Sequence, residues 1–285
     1  MVQRGRTPGD TTQTELSWLQ GARFEILPTR NVEELVRQHL PLDRVITITA
    51  SPAKGLEATM ALTERLATAG YVVVPHLAAR MIRDRAELAE LVDRLVGSGV
   101  TRIFVPAGDA DPVGDYVDAL GLLRDLGMLG APFDQVGITG YPESHPSIHD
   151  DVTIQAMWDK RVHATHIVSN LTFDPAVVRA WLERLRARGV TTPVLLGVPG
   201  PAERAKLLTM ATKIGVGEST RFLTKNKGLF ARLATPGGFT GDRFIRDCAA
   251  TQTPPGLVQG LHVFTFNQIA ETEAWRSRLL NAVRG

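Results

Sequence analysis

The sequence predicts an α/β fold, a single-domain (β/α)8 TIM barrel with extra helices before the last strand. Short runs rich in β-branched residues alternate along the whole chain with longer segments whose apolar residues recur three and four apart. No tight turn joins two successive runs as in a hairpin, which favours a parallel sheet. The alternation supplies about eight strands, enough to close a barrel, whereas about five or six would leave an open doubly wound sheet.

The predicted strands are short apolar runs rich in β-branched residues. They cover residues 22–27, 44–49, 71–76, 101–106, 135–140, 166–170, 193–198 and 261–266. The predicted helices cover residues 32–39, 55–69, 84–98, 114–127, 150–162, 175–188, 201–214 and 268–283. A further helical pair is expected within 218–250, before the last strand. No Gly-x-Gly-x-x-Gly follows the first strand, so a dinucleotide-binding open sheet is not indicated.

Glycine, aspartate and proline mark the expected helix ends. Gly99, Gly127 and Gly189 each follow a helical pattern and precede a strand, where glycine commonly ends a helix. Asp174 before Pro175 predicts a helix start, because aspartate caps the first turn and proline fits the first helical position.

The composition is that of an ordinary globular protein. Hydrophobic residues make up 44% and charged residues 22% of the 285 residues, and the formal net charge is only +2. So small a charge gives no reason to expect nucleic acid as a partner. The single cysteine, Cys248, excludes an intramolecular disulfide and a cysteine-cluster zinc site, and we expect a buried or semi-buried, unreactive thiol.

The N-terminal residues 1–18 are rich in Gly, Thr, Gln and Arg and offer few groups to bury. We therefore expect a flexible arm there, followed by a catalytic barrel domain over residues 19–285. The sequence shows no run of about 18 apolar residues and no signal-peptide core. These features favour a cytoplasmic enzyme without a membrane partner.

Polar residues at the ends of the predicted strands are the candidates for chemistry, because the carboxyl ends of barrel strands converge on one mouth. Glu25 lies inside an apolar run before a proline, where a carboxylate must be paired, neutralised or used. The whole set comprises Glu25, Thr49, His76, Asp109, Tyr141 with His145, Asn170, and Asn267 with Gln268. It contains two acids but no compact metal-ligand spacing, which predicts a metal-free site for acid–base chemistry.

Several short motifs occur at these strand ends in a fixed order. They are Phe24-Glu25 with Pro28 and Arg30, Pro75-His76-Leu77, Gly108-Asp109, Tyr141-Pro142-Glu143 with His145-Pro146, Phe173-Asp174, Gly260-Leu261-His262, and Thr265-Phe266-Asn267. Each motif alone is short, but their order and spacing together are specific. Over nearly its whole length the chain resembles the methylenetetrahydrofolate reductase family.

The resemblance implies an oxidoreductase of one-carbon metabolism and methionine biosynthesis that reduces 5,10-methylenetetrahydrofolate to 5-methyltetrahydrofolate. It implies that Glu25 is the general acid that protonates the folate as its five-membered ring opens. It also implies that Asp109 stabilises the resulting iminium cation beside the pterin. Both roles are physically reasonable, since a partly desolvated glutamic acid can keep its proton and a fixed carboxylate stabilises a developing cation.

The resemblance further implies FAD as bound cofactor and NADH or NADPH as reductant. The residues implied as cofactor contacts are Thr49, His76, Gly108, Asp109, Tyr141, His145 and Lys160. Those implied as contacts of the folate substrate are Asp109, Asn170 and Gln268.

The chain departs from the family pattern at contacts with flavin and nicotinamide. Ala107 replaces a flavin-contacting arginine, and Asn170 is one methylene shorter than the family glutamine that contacts folate and nicotinamide. Lys206 and Met210 replace a glutamine and a phenylalanine that stacks on nicotinamide, and Gln268 replaces an arginine near the folate tail. The acid pair is kept while the flavin contacts are altered. This combination suggests that reduced nicotinamide binds in place of flavin and passes hydride directly to the folate.

Other interpretations stay open from the sequence. Tetrahydrofolate-dependent methyl transfer or demethylation needs the same pocket and acid, and a non-catalytic folate-binding subunit would keep only the pterin site. Several candidates also have a structural alternative: an arginine ion pair for Glu25, a helix or turn cap for Asp109, a core position for His76, turn packing for Tyr141 and His145, and a solvated position for Lys160.

Overall fold

The computed structural model describes residues 8–145, 148–201, 241–251 and 257–285. Within these ranges, eight parallel strands alternate with nine α-helices, which confirms the predicted (β/α)8 barrel. The strands are β1 Arg23–Ile26, β2 Val45–Ile48, β3 Val72–Pro75, β4 Arg102–Val105, β5 Gln135–Gly140, β6 His166–Leu171, β7 Val194–Pro199 and β8 Val258–Phe264. The helices are α1 Pro8–Gln20, α2 Val32–His39, α3 Gly55–Thr68, α4 Arg85–Gly97, α5 Ala119–Met128, α6 Asp150–Lys160, α7 Pro175–Arg188, α8 Gly241–Ala250 and α9 Ile269–Arg284.

The strands form one sheet in the order β3-β2-β1-β8-β7-β6-β5-β4. Its two outer strands, β3 and β4, approach each other at a parallel bridge between His76 and Phe104. The main-chain N–H of Leu77 also donates to the carbonyl of Phe104 over 2.8 Å. The barrel is therefore nearly closed, and the point of closure includes a predicted site residue, His76.

Strand register determines which side chains face the barrel interior, because paired residues of parallel strands share a face and successive residues alternate. Phe24 pairs with Ile46, and both are fully buried in the large apolar core that includes helix residues. Glu25 pairs with Thr47 and therefore points the other way, into the barrel. The same register adds Val74 of β3 to this inner face, where a small apolar cluster lies.

Polar side chains fill the interior at the amino-terminal ends of the strands. Arg23 donates to Oε1 of Gln135 over 2.8 Å, and its Nη1 lies 3.1 Å from Nε2 of His166. Burial, reinforced by the positive charge of Arg23, lowers the pKa of His166 to about 3. A neutral His166 accepts from Arg23 through Nε2 and donates from Nδ1 to the hydroxyl of Thr165, 2.9 Å away.

The prediction of a flexible N-terminal arm is wrong for residues 8–18, because these residues belong to α1, Pro8–Gln20. Trp18 and Leu19 are buried, and α1 packs against α8, α9 and β8. Arg44 and Arg276 donate to the last carbonyls of this helix at 3.1 Å. The polar composition of this segment gave no sign of its apolar face or of the two distant arginines that cap it. These contacts together hold α1 in place.

The helix ends follow the glycine and aspartate signals with one exception. Asp174 caps α7, and Gly189 ends it in the left-handed region at φ +90°, as predicted. Gly99, also left-handed, follows α4. Gly127 does not end α5, because the helix continues to Met128 and the left-handed residue comes only at Gly130.

Several predicted elements begin late or lie outside the described residues. The helix expected at 114–127 begins only at Ala119, because the side chain of Asp118 caps it by accepting from two main-chain N–H groups at 2.8 and 3.1 Å. Residues 202–214 of the helix expected at 201–214, and residues 218–240 of the additional pair, lie outside those ranges, whereas α8 occupies 241–250. Cys248 on α8 is buried, as expected, and burial raises its pKa. Across the ranges given above, no helix has both the length and the apolarity to cross a bilayer.

Candidate active site

Glu25 presents its carboxylate between two buried histidines. Oε2 of Glu25 is 3.0 Å from Nε2 of His262, a hydrogen bond, and 3.6 Å from Nε2 of His76. The Glu25 side chain keeps 14% of its surface exposed. No arginine pairs with it among the described residues, so the alternative of a structural arginine ion pair is not observed.

His76 is neutral and has an unsatisfied ring nitrogen. Burial lowers its pKa to about 4, and this outweighs the opposing effect of the Glu25 carboxylate. The ring packs on Phe104 with a centroid distance of 4.6 Å. Its Nε2 is buried and has no hydrogen-bond partner in the part of the chain that the structure describes. Core histidines are normally satisfied, so this atom suggests a ligand contact.

Thr49 offers a second unsatisfied atom at the end of the neighbouring strand. Ile48 pairs with Pro75, so Thr49 and His76 follow equivalent positions of β2 and β3. The Thr49 main chain is satisfied, since its N–H donates to the carbonyl of Ile26 over 3.0 Å. Its Oγ1 is buried and unpaired within the described ranges. The two orphaned atoms indicate a place for a ligand with hydrogen-bonding groups.

The end of β8 holds the backbone around Glu25. Oγ1 of Thr265 donates to the carbonyl of Glu25 over 2.6 Å. The side chain of Asn267 accepts from the N–H of Leu27 at 2.9 Å and donates to the carbonyl of Leu27 at 3.0 Å. Asn267 therefore acts here as a clamp between two strand ends.

Sequence reasoning assigned no role to His262 or Thr265, although both belong to motifs that carry the resemblance. A signal was available in the alternation of β8. Gly260, His262 and Phe264 lie on one face of that strand, and the register pairs His262 with Arg23 and Phe264 with Glu25. Pairing β8 with β1 would have placed the imidazole beside the acid.

Gly108 and Asp109 lie in the loop after β4. Gly108 is left-handed at φ +87°, and a Cβ there would lie 3.3 Å from Cβ of Ala78. Asp109 is exposed, and its charge adds to burial in raising the pKa of Tyr141. Among the residues described, Asp109 makes no hydrogen bond that would cap a turn, and no contact joins it to Glu25. Its electrostatic interaction is instead with Tyr141.

Tyr141 and His145 pack edge to face, with ring centroids 4.8 Å apart. Between them in sequence, Oε1 of Glu143 accepts from the hydroxyl of Thr172 and the N–H of Phe173, both at 3.0 Å. These bonds tie the loop after β5 to the segment after β6. The ring contact between Tyr141 and His145 is the turn packing named as their structural alternative. Together with the bonds of Glu143, it orders the part of the barrel mouth where ligand contacts were predicted.

The remaining predicted residues are not brought into contact with Glu25. The side chain of Asn170 accepts from the N–H of Leu171 at 2.8 Å, and Gln268 lies at the start of α9. Lys160 is buried at the end of α6, so the solvated position is wrong for it. Burial lowers its pKa, and the charges that oppose this belong to Asp118 and Asp159. Lys206 and Met210 lie outside the described residues.

Comparison with known proteins gives one family and a shared fold. The family described as Methylenetetrahydrofolate reductase matches residues 29–274, a range that begins just after Glu25. A crystal structure from Burkholderia cenocepacia J2315, provisionally named a lyase/mutase, gives a TM-score of 0.51 at 14% identity, over 97% of this chain and 88% of that chain. A crystal structure of a phosphonomutase, also provisionally named and from the same organism, gives a TM-score of 0.44 at 15% identity. This match covers 79% of this chain and 98% of that chain. The first of these likenesses concerns the fold alone. Because the family match spans most of its length, the chain belongs to the methylenetetrahydrofolate reductase family.

Proposed function

We propose that this protein reduces 5,10-methylenetetrahydrofolate to 5-methyltetrahydrofolate with a hydride from NADH or NADPH. Membership of the family suggests a folate-related one-carbon reductase. The observation that carries the finer assignment is the carboxyl group of Glu25, which is partly exposed and held in the barrel by His262 at 3.0 Å. It is a fixed acid at the end of the interior where barrel enzymes bind their substrates.

Glu25 supplies the proton for ring opening. As it protonates one nitrogen of the folate bridge, the bond from that nitrogen to the bridging carbon breaks and its electron pair stays on the nitrogen. An iminium cation remains on the other nitrogen and the bridging carbon. The exposed 14% of the Glu25 side chain supports this role, because a folate nitrogen must be able to reach the carboxyl group.

Asp109 stabilises the cation that ring opening creates. It is exposed at the same rim as Tyr141 and has no competing ion pair among the described residues. A carboxylate that is already ionised and positioned lowers the energy of a nearby positive charge without reorganisation.

The hydride passes from C4 of the reduced nicotinamide to the bridging carbon, which becomes the methyl group as the nicotinamide is oxidised. A carboxamide both donates and accepts hydrogen bonds, so it suits the two orphaned atoms, Oγ1 of Thr49 and Nε2 of His76. The flavin that family membership suggests loses one contact here, since Ala107 carries no charge where the resemblance implies an arginine. The proposed transfer therefore involves no flavin.

An absorbance spectrum followed by one assay tests this proposal. Colourless purified protein that oxidises NADH or NADPH only when methylenetetrahydrofolate is added would support it. A tightly bound yellow chromophore would overturn the direct transfer. Absence of nicotinamide oxidation with the folate present would overturn the reductase assignment and favour methyl transfer or folate binding alone.

A further inference from the structure

His262 lies beneath the carboxylate of Glu25 and does not reach the mouth. Its side chain is 1% exposed, in the middle of β8, and its Nε2 is 3.0 Å from Oε2 of Glu25. The ring meets Phe264 edge on, with centroids 5.0 Å apart. Because the His262 ring is so deeply buried, it can act on the folate only through Glu25.

The surroundings of the His262 ring decide which nitrogen carries its hydrogen. Nδ1 is buried and has no hydrogen-bond partner within the described ranges. A hydrogen on Nδ1 would be a buried donor without an acceptor, which is rarer in proteins than an unsatisfied lone pair. Nε2 therefore carries the hydrogen and donates it to Oε2 of Glu25.

This donation distinguishes the two oxygens of Glu25. Oε2 is engaged as an acceptor, so the neutral carboxyl group holds its own proton on Oε1. Oε1 accepts no hydrogen bond from any residue described, and the side chain keeps its exposed fraction of 14%. The free oxygen is thus the one available to a ligand.

We propose that His262 is a positioning residue that keeps the acidic proton of Glu25 on Oε1, where it meets the folate nitrogen. This inference rests on the proposed function. His76 does not share the role, because its Nε2 is 3.6 Å from Oε2 and outside hydrogen-bond range. The other titratable groups around His262 are His76, and His166 with Arg23 deeper in the barrel.

Two substitutions separate the donated hydrogen bond from simple packing. His262→Gln can place an amide N–H near the position of Nε2, whereas His262→Met fills the space without a donor. We expect kcat to fall by about 10²-fold in His262→Met and by about tenfold or less in His262→Gln, with KM for the folate changed by less than about threefold. The alkaline limb of the kcat profile should also move to higher pH in His262→Met, because the carboxylate loses the donor that stabilises it.

Equal losses of kcat in the two variants with an unmoved alkaline limb would overturn the positioning role. An inactive wild type would instead overturn the proposed function, and this inference with it. Should His262→Met fail to fold, nitrogen chemical shifts of 15N-histidine-labelled wild type report the tautomer directly. A hydrogen on Nε2 of His262 is expected, and a hydrogen on Nδ1 would overturn the inference.

Discussion

The hydroxyl of Thr265 donates a 2.6 Å hydrogen bond to the main-chain carbonyl of Glu25, and the Thr265 N–H donates to the same oxygen at 3.2 Å. The end of β8 therefore fixes the backbone of the acid, while His262 from the same strand fixes its carboxylate. Proton donation requires a precise position, because small displacements of a catalytic group lower the rate strongly.

Removing the Thr265 hydroxyl should loosen this position. We expect Thr265→Val to lower the free energy of unfolding by about 1 kcal/mol, the usual contribution of one such bond, and to lower kcat as well. Urea unfolding and steady-state kinetics measure the two effects. Thr251→Val is the matched control, since it removes a 2.6 Å hydroxyl-to-carbonyl bond at an exposed position. If both variants kept wild-type kcat, the clamp would have no functional role.

Glu25→Gln removes the transferable proton while keeping the shape of the side chain. We expect kcat to fall by about 10²–10⁴-fold, the usual effect of losing a general acid. Folate binding, measured by calorimetry, should change much less. Glu34→Gln, on the exposed side of α2, is the control and should be fully active. If Glu25→Gln kept kcat within a factor of a few of the wild-type value, Glu25 would have only a structural role.

Asp109→Asn keeps the size of the side chain but removes its charge. Folate affinity and kcat should both fall, on the order of 10-fold or more, because the developing cation loses its countercharge. The exposed Asp111 lies in the same loop, and Asp111→Asn should change neither quantity. Equal behaviour of the two variants would refute the role of Asp109.

The buried neutral histidines make stability depend on pH. In the unfolded chain a histidine binds its proton near pH 6.5, whereas in the folded chain burial lowers the pKa of His76 to about 4. The unfolded state thus binds more protons between these values, so stability falls as pH decreases from about 6.5 to 4, by on the order of 1–3 kcal/mol for this group. Denaturant unfolding across that range should show the loss, and His76→Gln should reduce its slope. An identical slope in the variant would show that His76 does not contribute.

The sequence predicted the barrel because its signals are local and repeat with every strand. The position of Glu25 near the end of the first strand was predicted in the same way, from the apolar run and the proline around it, without knowledge of neighbouring strands. The contacts of His262, Thr265 and Asn267 with residues 25–27 were not predicted, because they join residues more than 230 positions apart. Periodicity along one segment carries no information about pairing at such separation.

The same limit explains one error and one alternative that the sequence left open. Residues 8–18 were expected to be flexible because their composition is polar, but the caps from Arg44 and Arg276 come from distant elements. Lys160 was open to a solvated interpretation because its helix shows only weak sidedness, and its burial depends on how α6 packs against its neighbours.

The fate of the transferred hydrogen tests the central claim most directly. Purified protein would be given nicotinamide deuterated at the transferable C4 position together with methylenetetrahydrofolate, and the methyl group of the product would be analysed by mass spectrometry. Direct transfer to the iminium carbon predicts one deuterium in each methyl group. A methyl group without deuterium would contradict it, since the hydrogen would then have passed through a carrier that exchanges with water or come from another donor.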